Sequence, residues 1–365
     1  MENDNVSKNE IGEISPIESK VDLENVKSKN ILQLIFNYVP IIESLKIIKY
    51  NKKIQNELNL DYKKYSETFT PIVIEIKPFE NRSGKIIRIQ KEEERKYYHI
   101  FFNDSKEEKS DYLAENDKVS LIKIVIDYQV KSLERLFYNC PCIKSITFKK
   151  IYRTNITDMN YMFSYNNSLE EINFSSFNTS NVINMEYMFY ECSSIILLDL
   201  SNFNTSNVSN MHSMFNACYD LKEINLSSFN TSNVTNMQSM FYKCSSLEQL
   251  DLSNFNTSNV YNMHNMFSEC SNLKKLNVLN FDTSNVMDLS YMFFRCYSLK
   301  ELDLSSFNIT KVKKSMDRIF YECSSLEEIN LLNFKYEDTS YFEKMIYGCS
   351  PLLTRKIKEQ SKNKA

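Results

Sequence analysis

The sequence predicts an α/β repeat solenoid, with parallel strands on one face and short helices on the other, preceded by a small α+β domain. Two observations carry this. Cys192, Cys218, Cys244, Cys270, Cys296, Cys323 and Cys349 recur every 26 residues, with one 27-residue step between Cys296 and Cys323. Around each lies a near copy of residues 169–192, LEEINFSSFNTSNVINMEYMFYEC. A fixed period of this length marks units that bury their apolar faces only against neighbouring copies. The extra residue of the long step falls within Lys313-Lys314-Ser315.

Within the unit, Leu169, Ile172 and Phe174 form an L-x-x-L-x-L strand pattern, with Glu170, Glu171 and Asn173 pointing away. Asn178-Thr179-Ser180-Asn181 is rich in side chains that bond local backbone, which suits a turn and a helix N-cap. Val182, Met185, Met188, Phe189 and Cys192 then recur at three- and four-residue steps, the inner stripe of a helix of roughly three turns. Phe177, Phe203, Phe229, Phe255, Phe281, Phe307 and Phe334 are expected to form a buried spine. The cysteine column, in line with the Met and Phe columns, reads as small buried packing with reduced thiols rather than as metal ligands or disulfides. One period before Cys192 the position holds Asn166, and two periods before it holds Cys140.

The string F-N-T-S-N-V-x-N-M-x-x-M-F-x-x-C-S-x-L, nearly complete over residues 203–221 and 229–247, resembles the BspA-like leucine-rich repeat family. The resemblance covers residues 121–352. It implies a leucine-rich repeat solenoid that recognises proteins, and, by analogy with the bacterial surface members of that family, an adhesin as an alternative role.

Five segments are expected. Residues 1–25 are polar and acidic and read as a disordered tail. Residues 26–69 read as helices broken at Pro40, with Leu32, Ile35, Phe36 and Val39 on one face and Leu45, Ile48, Ile54 and Leu58 on another. The layout I-L-x-x-I-F-x-Y-V from Ile31 is similar to an F-box, which implies docking onto the Skp adaptor of a ubiquitin ligase; the other reading is a helical cap. Residues 70–118 are β-rich: 71–76, 85–89 and 97–102 alternate as strands do, and Asn81-Arg82-Ser83-Gly84 fits a hairpin turn. The solenoid is expected over 119–354, opening with Leu121, Ile124 and Ile126 as an irregular strand, and 355–365 is a basic tail.

Composition excludes several function classes. A net charge of −3 gives no general attraction to nucleic acid or anionic membrane. No apolar run reaches the roughly 18 residues of a membrane span, and no apolar h-region follows a basic start, so no membrane insertion and an intracellular location are expected. A cell-surface location by another route is the alternative. With Gly12, Gly84 and Gly348 as its three glycines, the chain has neither a phosphate-binding loop nor a dinucleotide fingerprint. His212 and His264 hold one position two repeats apart, roughly 10 Å at the spacing of neighbouring strands, too far to share a metal, and are expected as exposed, solvated side chains. The expectation is a monomeric, non-enzymatic protein with no cofactor and a protein partner.

Its information sits on the outward strand face, where residue type changes from repeat to repeat while the inward columns hardly vary. Ile196, Leu197, Glu223, Glu248, Asp251, Lys274 and Lys275 are the candidate contact residues. One outward column alternates Asn173, Asp199, Asn225, Asp251, Asn277, Asp303 and Asn330, which limits like-charge contact across adjacent strands.

Overall fold

Each 26-residue period closes into one coil of a β-solenoid, and successive coils stack with their strands parallel. The computed structural model describes residues 28–38, 41–60, 70–127, 129–151, 155–312, 316–331 and 344–362. They fall into two units, one within residues 1–66 and one within 67–365. The expected tail at 1–25, the break at Val39-Pro40, the inserted Lys313-Lys314-Ser315 and Phe334 of the spine lie outside the described residues.

In the first unit, α1 (Lys29–Tyr38), α2 (Ile41–Tyr50) and α3 (Lys52–Leu58) gather Leu32, Ile48, Ile54 and Leu58 into a small core. Asn51 caps α3 by accepting the Ile54 N–H on Oδ1 at 3.0 Å, and Asn59 ends it in the left-handed region at φ 53°.

The second unit opens with an antiparallel cap. Its centre is β1 (Ile72–Pro78), whose Ile72, Ile74 and Ile76 are fully buried. The short β2 (Gly84–Lys85) pairs with β4 (Tyr112–Leu113), whereas β3 (Tyr98–Phe102) pairs with β5 (Ile122–Ile126). One edge of β1 takes β5 and the other takes β6 (Ile143–Lys150), both antiparallel. The expected hairpin across residues 81–84 therefore does not form, because both edges of β1 are occupied by strands distant in sequence. The segment expected to open the array, β5, belongs to this cap. Its first parallel pair is β6 with β7 (Glu171–Asn173), giving a sheet of order β3-β5-β1-β6-β7 that covers the solenoid's open edge.

Beyond β7 each strand has three residues: β8 (Leu197–Asp199), β9 (Glu223–Asn225), β10 (Gln249–Asp251), β11 (Lys275–Asn277), β12 (Glu301–Asp303) and β13 (Glu328–Asn330). They form separate two-stranded sheets, β8 with β9, β10 with β11 and β12 with β13. In each pair the strand ending in Asp precedes the one ending in Asn, as Asp199↔Asn225, Asp251↔Asn277 and Asp303↔Asn330. Asn277 Nδ2 donates to Asp251 Oδ1 at 3.1 Å, so the alternation exchanges a carboxylate repulsion for a hydrogen bond.

The wall opposite the strands is not helical, which corrects the expected three-turn helix. Residues such as 185–191 form successive tight turns: the N–H groups of Met188, Tyr190 and Cys192 bond to the carbonyls of Met185, Tyr187 and Phe189 three residues back. The N–H groups between them point to the next coil, with Tyr187 to His212 O at 2.9 Å, Phe189 to Met214 O at 2.9 Å and Glu191 to Asn216 O at 2.8 Å. This geometry places two residues per coil in the left-handed region, for example Ser239 at φ 54° and Lys243 at φ 60°, and among the described repeats glycine takes such a site once, at Gly348 with φ 76° before Cys349. Each such residue costs on the order of 1–2 kcal/mol, which the bonds to the neighbouring coil offset. Turns of this kind still send Val182, Met185, Met188, Phe189 and Cys192 inward, all fully buried, so they reproduce the apolar spacing of a helix.

The motif N-T-S-N is likewise a coil-to-coil joint rather than a helix cap. The hydroxyl of buried Thr205 donates to Asn230 O at 2.9 Å and accepts the Asn230 N–H at 2.8 Å. Asn230 Oδ1 turns the chain by accepting the Ser232 N–H at 3.1 Å, and Asn233 Nδ2 reaches back to Ser206 O at 2.6 Å. All nine cysteines are free thiols, eight of them buried and Cys349 half-buried. They do more than fill space: Cys244 Sγ donates to Phe215 O at 3.1 Å and Cys270 Sγ to Phe241 O at 3.1 Å. Asn166 takes the same role with its amide, donating to Phe163 O at 2.7 Å and Phe137 O at 2.6 Å. A buried carbonyl left unbonded would be costly, so this column selects a small side chain that donates. Burial pushes the Cys270 thiol up to about 12, so it keeps the proton it donates.

At the far end, Ser350 caps α4 (Pro351–Lys362), its hydroxyl accepting the Leu353 N–H at 3.1 Å and donating to Leu326 O at 2.6 Å. The residues expected as a basic tail are thus helical as far as Lys362.

Two substitutions test the core and the turn wall. Phe229 is 3% exposed and stacks on Phe203 and Phe255 at 6.5 and 6.3 Å, so Phe229→Ala is expected to cost about 3–5 kcal/mol in urea denaturation. Lys243→Gly is expected to raise stability by on the order of 1 kcal/mol, and Lys243→Val to lower it, because only glycine is unstrained at its φ. In a helix the glycine variant would instead destabilise.

Candidate functional site on the outward strand face

The seven candidate residues are all exposed and lie on one face, across four neighbouring coils. Ile196 and Leu197 stand side by side at the start of β8, 54% and 58% exposed. Leu197 faces Glu223 of β9 in register, and the Ile196 carbonyl accepts the Lys222 N–H at 2.9 Å. The other polar candidates sit on the next strand pair. Glu248 and Lys274 are ion-paired at 2.9 Å, Lys275 is opposite Gln249, and Asp251 holds Asn277. Glu248 and Lys274 are therefore committed to one another and Asp251 to Asn277, whereas Ile196 and Leu197 project as the apolar pair of this patch. An exposed ion pair of this kind contributes at most about 1 kcal/mol.

The structure adds a feature that sequence reasoning passed over. Between β11, β12, β13 and α4 lies a depression of about 550 Å³, lined by Leu279, Ile329, Glu301, Asp303, Glu328 and Lys356 among others. Leu279 is its signal in the sequence. The same position is serine at Ser175, Ser201, Ser227, Ser253 and Ser305.

A known family, described as Mycoplasma protein of unknown function, DUF285, matches three times, over residues 131–250, 192–276 and 247–359. The chain belongs to this family. The DUF285 matches overlap and together run from residue 131 to 359, more than half of the chain and all of its parallel coils. None reaches the N-terminal helices, and the F-box resemblance finds no support there. No curated protein matches the chain. Among the described residues no helix is long and apolar enough to cross a membrane.

The turn wall of the DUF285 array carries the two histidines, which are half-buried and not solvated as expected. Tyr187 Oη lies 2.5 Å from His212 Nε2, with the rings edge-on at 4.7 Å, and Tyr161 stacks on Tyr187 at 4.5 Å. His264 packs edge-on against Tyr291 at 5.8 Å, and its Nδ1 is 3.7 Å from Asp288. Aromatic neighbours one coil away therefore cover part of each imidazole.

Burial holds the His212 imidazole below its ordinary value of 6.5. The unfolded chain then takes up this proton first as pH falls. The neutral imidazole's contribution to stability is complete above pH 6.5 and declines as pH drops from there toward the lower folded value. Urea midpoints measured at about pH 7.5 and about pH 5.5 are expected to differ less in His212→Gln than in the unmodified protein.

Proposed function

We propose that this DUF285 array is a non-enzymatic binding module that takes a protein partner on its outward strand face. The observation that carries the reading is the pair Ile196 and Leu197, adjacent and more than half exposed in columns that are charged or polar on the neighbouring coils. Two neighbouring apolar side chains with no role in the core suit the buried centre of an interface, and charged residues on β9 to β11 suit its rim. Solenoids commonly bind through an extended face of this kind. The free thiols of all nine cysteines fit a partner met in a reducing compartment.

Affinity capture from native lysate with mass spectrometry, run side by side with Ile196→Asp/Leu197→Lys, tests this. The double variant is expected to lose the partner and keep its unfolding temperature, since neither side chain supports the core. Retention of the partner by that variant, with loss on changing His212 and His264, would move the site to the turn wall. Capture of extracellular matrix proteins would turn the reading toward adhesion.

A further inference from the structure

We propose that the depression between β11, β12, β13 and α4 receives a lysine or arginine side chain of the protein partner; this rests on the strand-face reading above. Its volume of about 550 Å³ lies within the range of ligand pockets, roughly 300–1,000 Å³. Its lining includes apolar side chains, with Leu279 52% exposed and Ile329 half-buried. The rim carries the carboxylates of Glu301, Asp303 and Glu328.

Two of those carboxylates are in conflict. Glu301 and Glu328 are direct register partners on β12 and β13, an arrangement that destabilises neighbouring strands. In the other solenoid strand pairs the corresponding residues are Ser145 with Glu171, Leu197 with Glu223 and Gln249 with Lys275, with no like charges opposed. The Ser305 backbone N–H and hydroxyl hold the Asp303 carboxyl below its ordinary value. Against these stands one ammonium on the pocket's lining, Lys356 of α4, 3.4 Å from Glu328 Oε1. Excess negative charge beside these apolar side chains fits one amphipathic shape, an aliphatic stem that lies on Leu279 and Ile329 beneath a cationic head. A small hydrated cation would satisfy the rim and leave the apolar side chains unused.

The test uses fluorescence anisotropy of the full chain with a short fluorescein-labelled peptide of alternating leucine and lysine, and its leucine–glutamate counterpart. The lysine peptide is expected to bind and the glutamate peptide not. Glu301→Gln and Glu328→Gln are each expected to weaken binding about tenfold while raising the unfolding temperature, because each relieves the opposed charges. Leu279→Ser should weaken binding, Lys356→Ala should strengthen it, and Glu171→Gln, the same charge change on the distant β7, should leave it unchanged. Equal loss in Glu171→Gln, equal binding of the glutamate peptide, displacement by calcium, or no binding at all would overturn the assignment. If the peptide fails while Ile196→Asp/Leu197→Lys still loses its native partner, the pocket assignment falls and the strand-face reading stands.

Discussion

The solenoid depends on one constraint: the polar backbone groups of each coil are answered about 25 residues away, on the next coil. The turn wall sends N–H groups of Tyr187, Phe189 and Glu191 forward to carbonyls of the following coil, and the N-T-S-N joint adds a threonine hydroxyl that both donates and accepts. Cysteine thiols close the carbonyls that remain inside. Because a buried polar group without a partner costs on the order of 1–3 kcal/mol, these positions tolerate little variation. The outward strand positions answer to no such demand, and there residue type is free to change for other reasons.

Much of this was legible in the chain. The period, the short strands, the phenylalanine spine and the burial of the cysteine column follow from spacing and residue type. The turn wall was not legible as such. Inward residues at steps of three and four serve a helix and a run of tight turns equally well, and glycine, the usual sign of left-handed backbone, takes those sites only at Gly348 among the described repeats. Local pattern also misjudged the cap, where β1 pairs with β5 and β6 from far along the sequence and leaves no edge for a hairpin.

The candidate site was half legible. Ile196 and Leu197 stand out in sequence as two apolar residues in charged columns, and they are exposed. The pocket beyond β11 needs Leu279, which breaks a serine column, and Lys356, which a helix brings back over the last strands. Reading one column at a time shows the first and misses the second. The histidines failed for a related reason, since their burial comes from tyrosines one coil away.

The pairing of each Asp strand with the Asn strand after it gives the array a grain coarser than its repeat. Asp199 to Asp251 is 52 residues, two coils, and that interval is the shortest translation that carries the strand pattern onto itself. Loss or duplication of one coil would set Asn beside Asn or Asp beside Asp and leave a strand without its mate. Gains and losses of two coils would preserve every pair.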